Sequence, residues 1–282
     1  MARRPKAGVE LTAAFEAAVA NGHAYEFLSN GILACLENIA SLTDEFSFLA
    51  SHGSNARAQF VMATAMEEVG KALILFDLVR IPWDNKDRVA GLCRAFYNHL
   101  RKAAYARTIY WPGNGSLEAA LELFKLELIE YWPNRDPESG EPDEYAAALV
   151  NREWGLYVDW NSYDGRWLIP QESSLAYFYA QEKETDGRTV GQARIEDVLF
   201  PLLRARDEKL FSPRGLEIVH SIMRDIDAKP TTPEQQIIDA IQSIAEQLAS
   251  NGIKLSDETV RANFMLYPLY AAILNPESIK GY

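Results

Sequence analysis

The chain has 282 residues, 48% apolar and 24% charged, enough apolar material for one large core or two small ones and too much for wholesale disorder. Forty acids against twenty-eight basic residues leave a formal charge of −12, which works against non-specific attraction to nucleic acid or anionic lipid. No apolar run, the strongest being Phe264 to Leu274, reaches the ~20 residues a bilayer requires, and the residues after Met1 to Lys6 lack the apolar stretch of a secretory signal, so a cytoplasmic protein with no membrane span is expected.

Almost everything before residue 150 has helical periodicity. Phe27, Ile32, Leu33, Leu36, Ile39, Leu42, Phe46 and Leu49 predict a helix that stops at the Ser51-His-Gly-Ser-Asn55 turn. A second helix follows Ser54, runs through Phe60, Val61, Met66, Val69, Leu73 and Phe76, and ends before Ile81-Pro82. A third is expected from about Asp87 to Tyr110, ending at Trp111-Pro-Gly-Asn-Gly115, and a fourth from the capping Ser116 to about Tyr131. Pro133 to Pro142 reads as a surface loop and Glu144 to Glu153 as helix. The segment from Gly155 to Ser174 is rich in aromatics, Gly and Pro. Tyr157 to Trp160 and Arg166 to Ile169, flanking Asp164-Gly165, suit a short hairpin or an ordered loop.

Beyond it, 175–183, 195–210, 214–226, 232–249 and 257–274 read as helices, one with Thr232-Pro233 as cap and first-turn proline. Glu182 to Arg194 is the expected flexible connection. The fold class is therefore all-α: an up-and-down helical bundle over residues 1–174, with an irregular aromatic loop or short hairpin, and a C-terminal helical extension over 175–282. Cys35 and Cys93 stand in apolar helical segments without a CxxC, as buried small hydrophobes would.

Charge is unevenly placed. From Arg88 to Leu117 there are five basic residues, Arg88, Arg94, Arg101, Lys102 and Arg107, and no acid, whereas Glu118 to Glu144 holds nine acids against two bases. The basic stretch either forms a face for a ligand or pairs with the acidic one inside the fold. Thr64, Glu67 or Glu68, Lys71 and Leu75 form one strip of the second helix, and Glu67 with Lys71 has the favourable i,i+4 orientation for an ion pair. Gly70 costs ~1 kcal/mol against Ala in a helix interior, which points to a close neighbour there.

His99 lies inside the acid-free segment. Imidazole exchanges protons near neutrality, and the surrounding Arg and Lys could hold a phosphate and stabilise charge developing on it. On an ideal helix, Arg94 and His99 would stand about 140° apart at ~100° per residue. Either the helix is distorted or the two contribute to a composite site across a subunit interface. Glu217-Ile-Val-His220 is a single ExxH, short of the two such motifs and two further Glu that a di-iron bundle needs, so no metal site is expected. GxGxxG, Walker and GxSxG motifs do not occur.

Met66-Glu-Glu-Val-Gly-Lys-Ala72, then Phe96-x-x-His99-x-x-Lys102, then Gly155-Leu-Tyr-Val-Asp159 with Pro170 beyond it, in this order over about residues 20–175, resemble the AbiV-type abortive-infection proteins of the HEPN superfamily. The resemblance implies a HEPN-like helical bundle and an anti-phage effector that stops growth of the infected cell. HEPN proteins are commonly metal-independent endoribonucleases with an Arg, four to six residues and a His, which Arg94 and His99 fit. Their site assembles across a symmetric homodimer and uses no cofactor.

By that resemblance His99 would assist attack of the ribose 2′-OH and Arg94 would steady the phosphorane. Glu67, Glu68 and Lys71 would support that face, with Lys102 an added phosphate contact. Arg88, Arg101 and Arg107 would bind RNA, while Tyr157 and Asp159 would order the aromatic loop. A phage-encoded activator or a protein regulator is a further expected partner. The residue after Arg94 is Ala95, where active members usually carry a polar one. A second reading therefore stands beside the first: a non-catalytic helical module that binds RNA or protein within a defence system.

Overall fold

In a computed structural model of the chain, residues 7–108, 159–161, 166–168, 174–226, 232–266 and 268 are described. Two long helices organise them, α2 (Ala24–Ser51) and α3 (Asn55–Arg80), after a first helix α1 (Ala7–Ala20). The α2–α3 turn depends on Gly53, whose φ of 72° is open to glycine at little cost, and the Ser54 N–H closes the end of α2 by donating to the Leu49 carbonyl at 2.9 Å. Helix α2 buries one stripe, including Leu28, Ile32, Cys35, Leu36, Ile39 and Phe46. Helix α3 differs, because every residue from Ala72 to Arg80 is buried. It is the axis of the molecule, with neighbours on all sides, and it stops where Ile81 turns extended ahead of Pro82.

Around α3 pack α4 (Lys86–Ala95), α5 (His99–Thr108), α6 (Ser174–Gln181), α7 (Val190–Asp207) and α8 (Pro213–Met223), followed by α9 (Glu234–Ser250) and two short helices, α10 (Asp257–Val260) and α11 (Asn263–Leu266). Of the two forms expected here, ordered loop or short hairpin, the second is present: β1 (Asp159–Asn161) pairs antiparallel with β2 (Arg166–Leu168), Trp160 opposite Trp167. The chain is an all-α bundle carrying this one small hairpin among its described residues.

One hydrophobic core extends from Phe15 in α1 to Met265 in α11, so the C-terminal helices share it with α1–α5. Phe76 of α3 meets Phe211 and Phe264 edge-on at 5.5 and 5.8 Å between ring centroids, and the Ser29 hydroxyl donates to the Phe211 carbonyl at 2.7 Å.

Several expected elements change. The third helix is not continuous to Tyr110 but breaks at Phe96–Asn98, because the Asn98 side chain caps a new helix by accepting from the Arg101 N–H at 3.0 Å. Glu182 to Arg194 is no loose connection: Lys183 bridges to Thr189, Arg188 binds Asp186, Glu196 and Asp197, and α7 begins at Val190. Helix α9 starts at Glu234 with Pro233, not Thr232, at its cap position, and the helix expected from Asp257 is broken into α10 and α11. The expected helices over 116–131 and 144–153, the loop between them and the acidic stretch Glu118 to Glu144 lie outside the described residues.

Candidate functional site

Adjacent residues on a helix diverge by about 100°, and α3 uses this to send two neighbouring carboxylates to different partners. Glu67 looks toward α5. Its Oε2 accepts from His99 Nδ1 at 2.8 Å and from Lys102 Nζ at 2.7 Å. Glu68 looks toward α2, where it stands beside the Cys35 thiol, and it pairs with Lys71 one turn on. The expected Glu67–Lys71 pair is therefore replaced by Glu68–Lys71, since α5 claims Glu67. Lys71 also lies over the Phe96 ring, 5.5 Å from its centroid.

Gly70 allows α5 to come this close. A Cβ there would sit 2.7 Å from the Lys102 Cα, in the path of backbone that cannot move aside. The close neighbour suggested by a glycine in mid-helix is thus the first turn of α5, which carries His99 and Lys102.

Burial grades the cluster. The Lys102 side chain is 5% exposed, that of Glu67 15% and that of His99 46%. Lys102 turns inward onto Glu67, which corrects the expectation that it offers solvent a phosphate contact. Burial pushes the Glu67 carboxyl up, but hydrogen bonds from His99 and Lys102 outweigh that and hold it below the ordinary carboxylate value. A carboxylate can only accept, so the proton on Nδ1 points at Glu67 and Nε2 is the nitrogen that can exchange one. Burial pushes the Cys35 thiol up to about 12, with Glu68 acting the same way, so it stays protonated and inert.

The break at Phe96–Asn98 means that Arg94 and His99 do not stand on one straight helix, so the distortion that was one of the two alternatives is present. Arg94 ends α4 with its backbone against Gly8 of α1 and its side chain exposed. Arg101 is half-buried. Burial holds its guanidinium below the ordinary value, the nearby Tyr105 phenol opposes this, and the charge of Arg94 adds to it. Ala95, between the exposed Arg94 and the half-buried Phe96, is itself fully buried and belongs to the core.

The other expected residues lie apart. Arg88 is in the first turn of α4, its N–H capped by Asn85, at the opposite end of that helix from Arg94. Arg107 is on α5 and Asp159 on β1, opposite Leu168, with their side chains outside the described residues, as is the whole of Tyr157. His220 of the ExxH is a core residue: Nδ1 meets the Val79 carbonyl at 2.7 Å, the ring stacks on Trp83 at 3.9 Å, and burial lowers its pKa. Its partner in the motif, Glu217, binds Arg214.

Two features escaped the sequence reading. Asn98 as a helix cap was hidden in a run with unbroken apolar periodicity. The buried network of Asp77, Arg80 and Tyr105 was legible only as two charges three residues apart in an otherwise apolar stretch.

The model of the HEPN_AbiV family, described as AbiV, matches residues 27–181. Neither the curated proteins nor the solved structures give a match to the chain.

Proposed function

The chain belongs to the AbiV family of HEPN proteins, the match covering more than half its length, and on that premise we propose that it is a metal-independent endoribonuclease that disables RNA during phage infection as a homodimer. The observation that carries this reading is the Glu67–His99 hydrogen bond at 2.8 Å, made by an imidazole that is itself 46% exposed. A histidine merely placed on a surface has no need of a mostly buried carboxylate, braced by a buried lysine, to fix its tautomer.

In the proposed reaction His99 Nε2 takes the proton of a ribose 2′-OH as that oxygen attacks the adjacent phosphorus. The bond from phosphorus to the 5′-oxygen of the next nucleotide breaks, and that oxygen leaves with a proton. The products are a 2′,3′-cyclic phosphate and a 5′-hydroxyl end. Arg94 steadies the charge that builds on the non-bridging oxygens, with Arg101 beside it. Glu67 orients His99 and balances the imidazolium, and Lys102 holds Glu67 in place. A second copy related by a two-fold axis would bring its own Arg and His beside these, giving one composite site with a base and an acid. The net charge of −12 favours the second reading, given next, whereas the acid-free segment that holds Arg94 and His99 favours this one.

The second reading, a binding module without catalysis, is favoured by Ala95. Both are tested by growth after induced expression, without and with phage challenge, comparing the native chain with His99→Ala and Arg94→Ala, each confirmed as folded by circular dichroism. Relief of arrest by either folded variant supports the nuclease. Arrest that persists in both contradicts it and leaves the binding module.

A further inference from the structure

We propose that Tyr97 is the residue on which an unpaired base of the RNA stacks; this rests on the endoribonuclease reading above. The elbow between α4 and α5 is a tight one. Tyr97 N–H donates to the Arg94 carbonyl at 3.2 Å and Asn98 N–H to the Ala95 carbonyl at 3.0 Å, the i→i+3 pattern in which side chains three apart eclipse. Arg94 and Tyr97 therefore leave the chain on the same side, and both are exposed, Tyr97 by 46%.

Burial does not explain this ring. Its neighbour Phe96 packs against the core and under the Lys71 ammonium, and Tyr97 leans edge-on against Phe96, with centroids 5.1 Å apart and planes at 69°. The tyrosine is thus braced on one side while nearly half its surface meets solvent. Two residues on, the Glu67-bound His99 opens α5, and the half-buried Arg101 follows in its first turn.

An exposed, braced aromatic beside two guanidiniums is the combination that takes up a single strand: cations for the backbone, a flat ring for the base. A duplex keeps its bases stacked on each other and offers that ring nothing. Stacking accepts any base, so Tyr97 selects for strandedness and contributes little to the choice of sequence.

The test uses full-length protein carrying His99→Ala, which does not cut the probe, and a short oligoadenylate RNA containing one 2-aminopurine, whose fluorescence falls when it stacks. The expected result is binding with quenching, a loss of roughly tenfold in affinity and of the quenching in the added Tyr97→Ala change, retention of both in Tyr97→Phe, and weak, Tyr97-independent binding of an adenine–uracil duplex. Equal binding and quenching by Tyr97→Ala overturns the stacking role while the nuclease reading stands. No binding of RNA by any of these proteins removes both. A fall in sedimenting mass on Tyr97→Ala also overturns the proposal, because the ring then holds two copies together.

Discussion

Helix α3 bridges to α5 twice, nearly three turns apart at ~3.6 residues per turn, and the two bridges are built from the same chemistry to opposite ends. Near its middle, Glu67 binds His99 and Lys102, and the imidazole reaches solvent. At its C-terminal end, Asp77 accepts from the Tyr105 hydroxyl at 2.9 Å and pairs with Arg80, which also donates to the Phe264 carbonyl of α11 and lies over the Phe76 ring at 4.2 Å. All three side chains of this second network are buried. It ties α3, α5 and the C-terminal helices into one body. The two buried-end histidine options are sorted the same way: His99 gives Nδ1 to a carboxylate and keeps an exposed ring, whereas His220 gives Nδ1 to a carbonyl and is sealed under Trp83. Polar residues inside a bundle are thus not evidence of function by themselves. What separates the two networks is whether the last group in the chain of hydrogen bonds meets water.

Replacing one residue in each network should drive them apart most strongly. Asp77→Ala leaves the Arg80 charge buried and is expected to cost ~3–5 kcal/mol in urea unfolding. His99→Ala, which removes an exposed ring and leaves Glu67 paired with Lys102, should cost less than about 1 kcal/mol on the same measurement yet lower RNA cleavage by roughly 10²- to 10⁴-fold. Equal stability losses in the two variants would erase the distinction.

Gly70→Ala addresses the spacing between α3 and α5. The added methyl meets Lys102 backbone and should destabilise by about 1–3 kcal/mol in urea, even though alanine is the better helix former by ~1 kcal/mol. Cleavage by the protein that remains folded should fall as well, because α5 carries His99. An unchanged rate would show that the site tolerates a displaced α5.

Acid separates the networks more gently. The Glu67 pKa is lowered by its partners, so its contribution is present above the unfolded value of about 4.3 and is lost as pH falls from there through the folded value. The His220 pKa is lowered by burial, so stability declines earlier, as pH falls below about 6.5 and the unfolded chain gains a proton that the core refuses. Unfolding midpoints measured against pH should lose the slope near 6 in His220→Phe and the slope below 4.3 in Glu67→Gln, with the other slope kept in each.

Much of this fold is legible in the sequence. The apolar period and the Gly53 and Pro82 punctuation locate α2 and α3 to within a few residues, Asp164-Gly165 marks the hairpin, and Gly70 announces a close helix without saying which one. Periodicity reports which residues face a core, but Asn98 caps a helix without interrupting that pattern, and so one helix was expected where two stand. Pairing of charges was harder still. Glu67 with Lys71 is the favourable local choice, yet tertiary contact with α5 redirects Glu67 to His99 and leaves Lys71 to Glu68. Local rules cannot see a partner more than thirty residues away. Arg94 and His99 were legible as a spacing, and the carboxylate behind His99 only as a supporting residue on another helix.

The most direct test of the central claim is to incubate the purified chain with RNA in the presence of EDTA and to characterise the ends produced. The account expects cleavage by the native protein that leaves 2′,3′-cyclic phosphate and 5′-hydroxyl termini, falls by roughly 10²- to 10⁴-fold in His99→Ala, and is reduced by roughly 10²-fold or more in Glu67→Gln, where an amide no longer fixes the tautomer. Cleavage undiminished in His99→Ala, or that stops with EDTA, would contradict it.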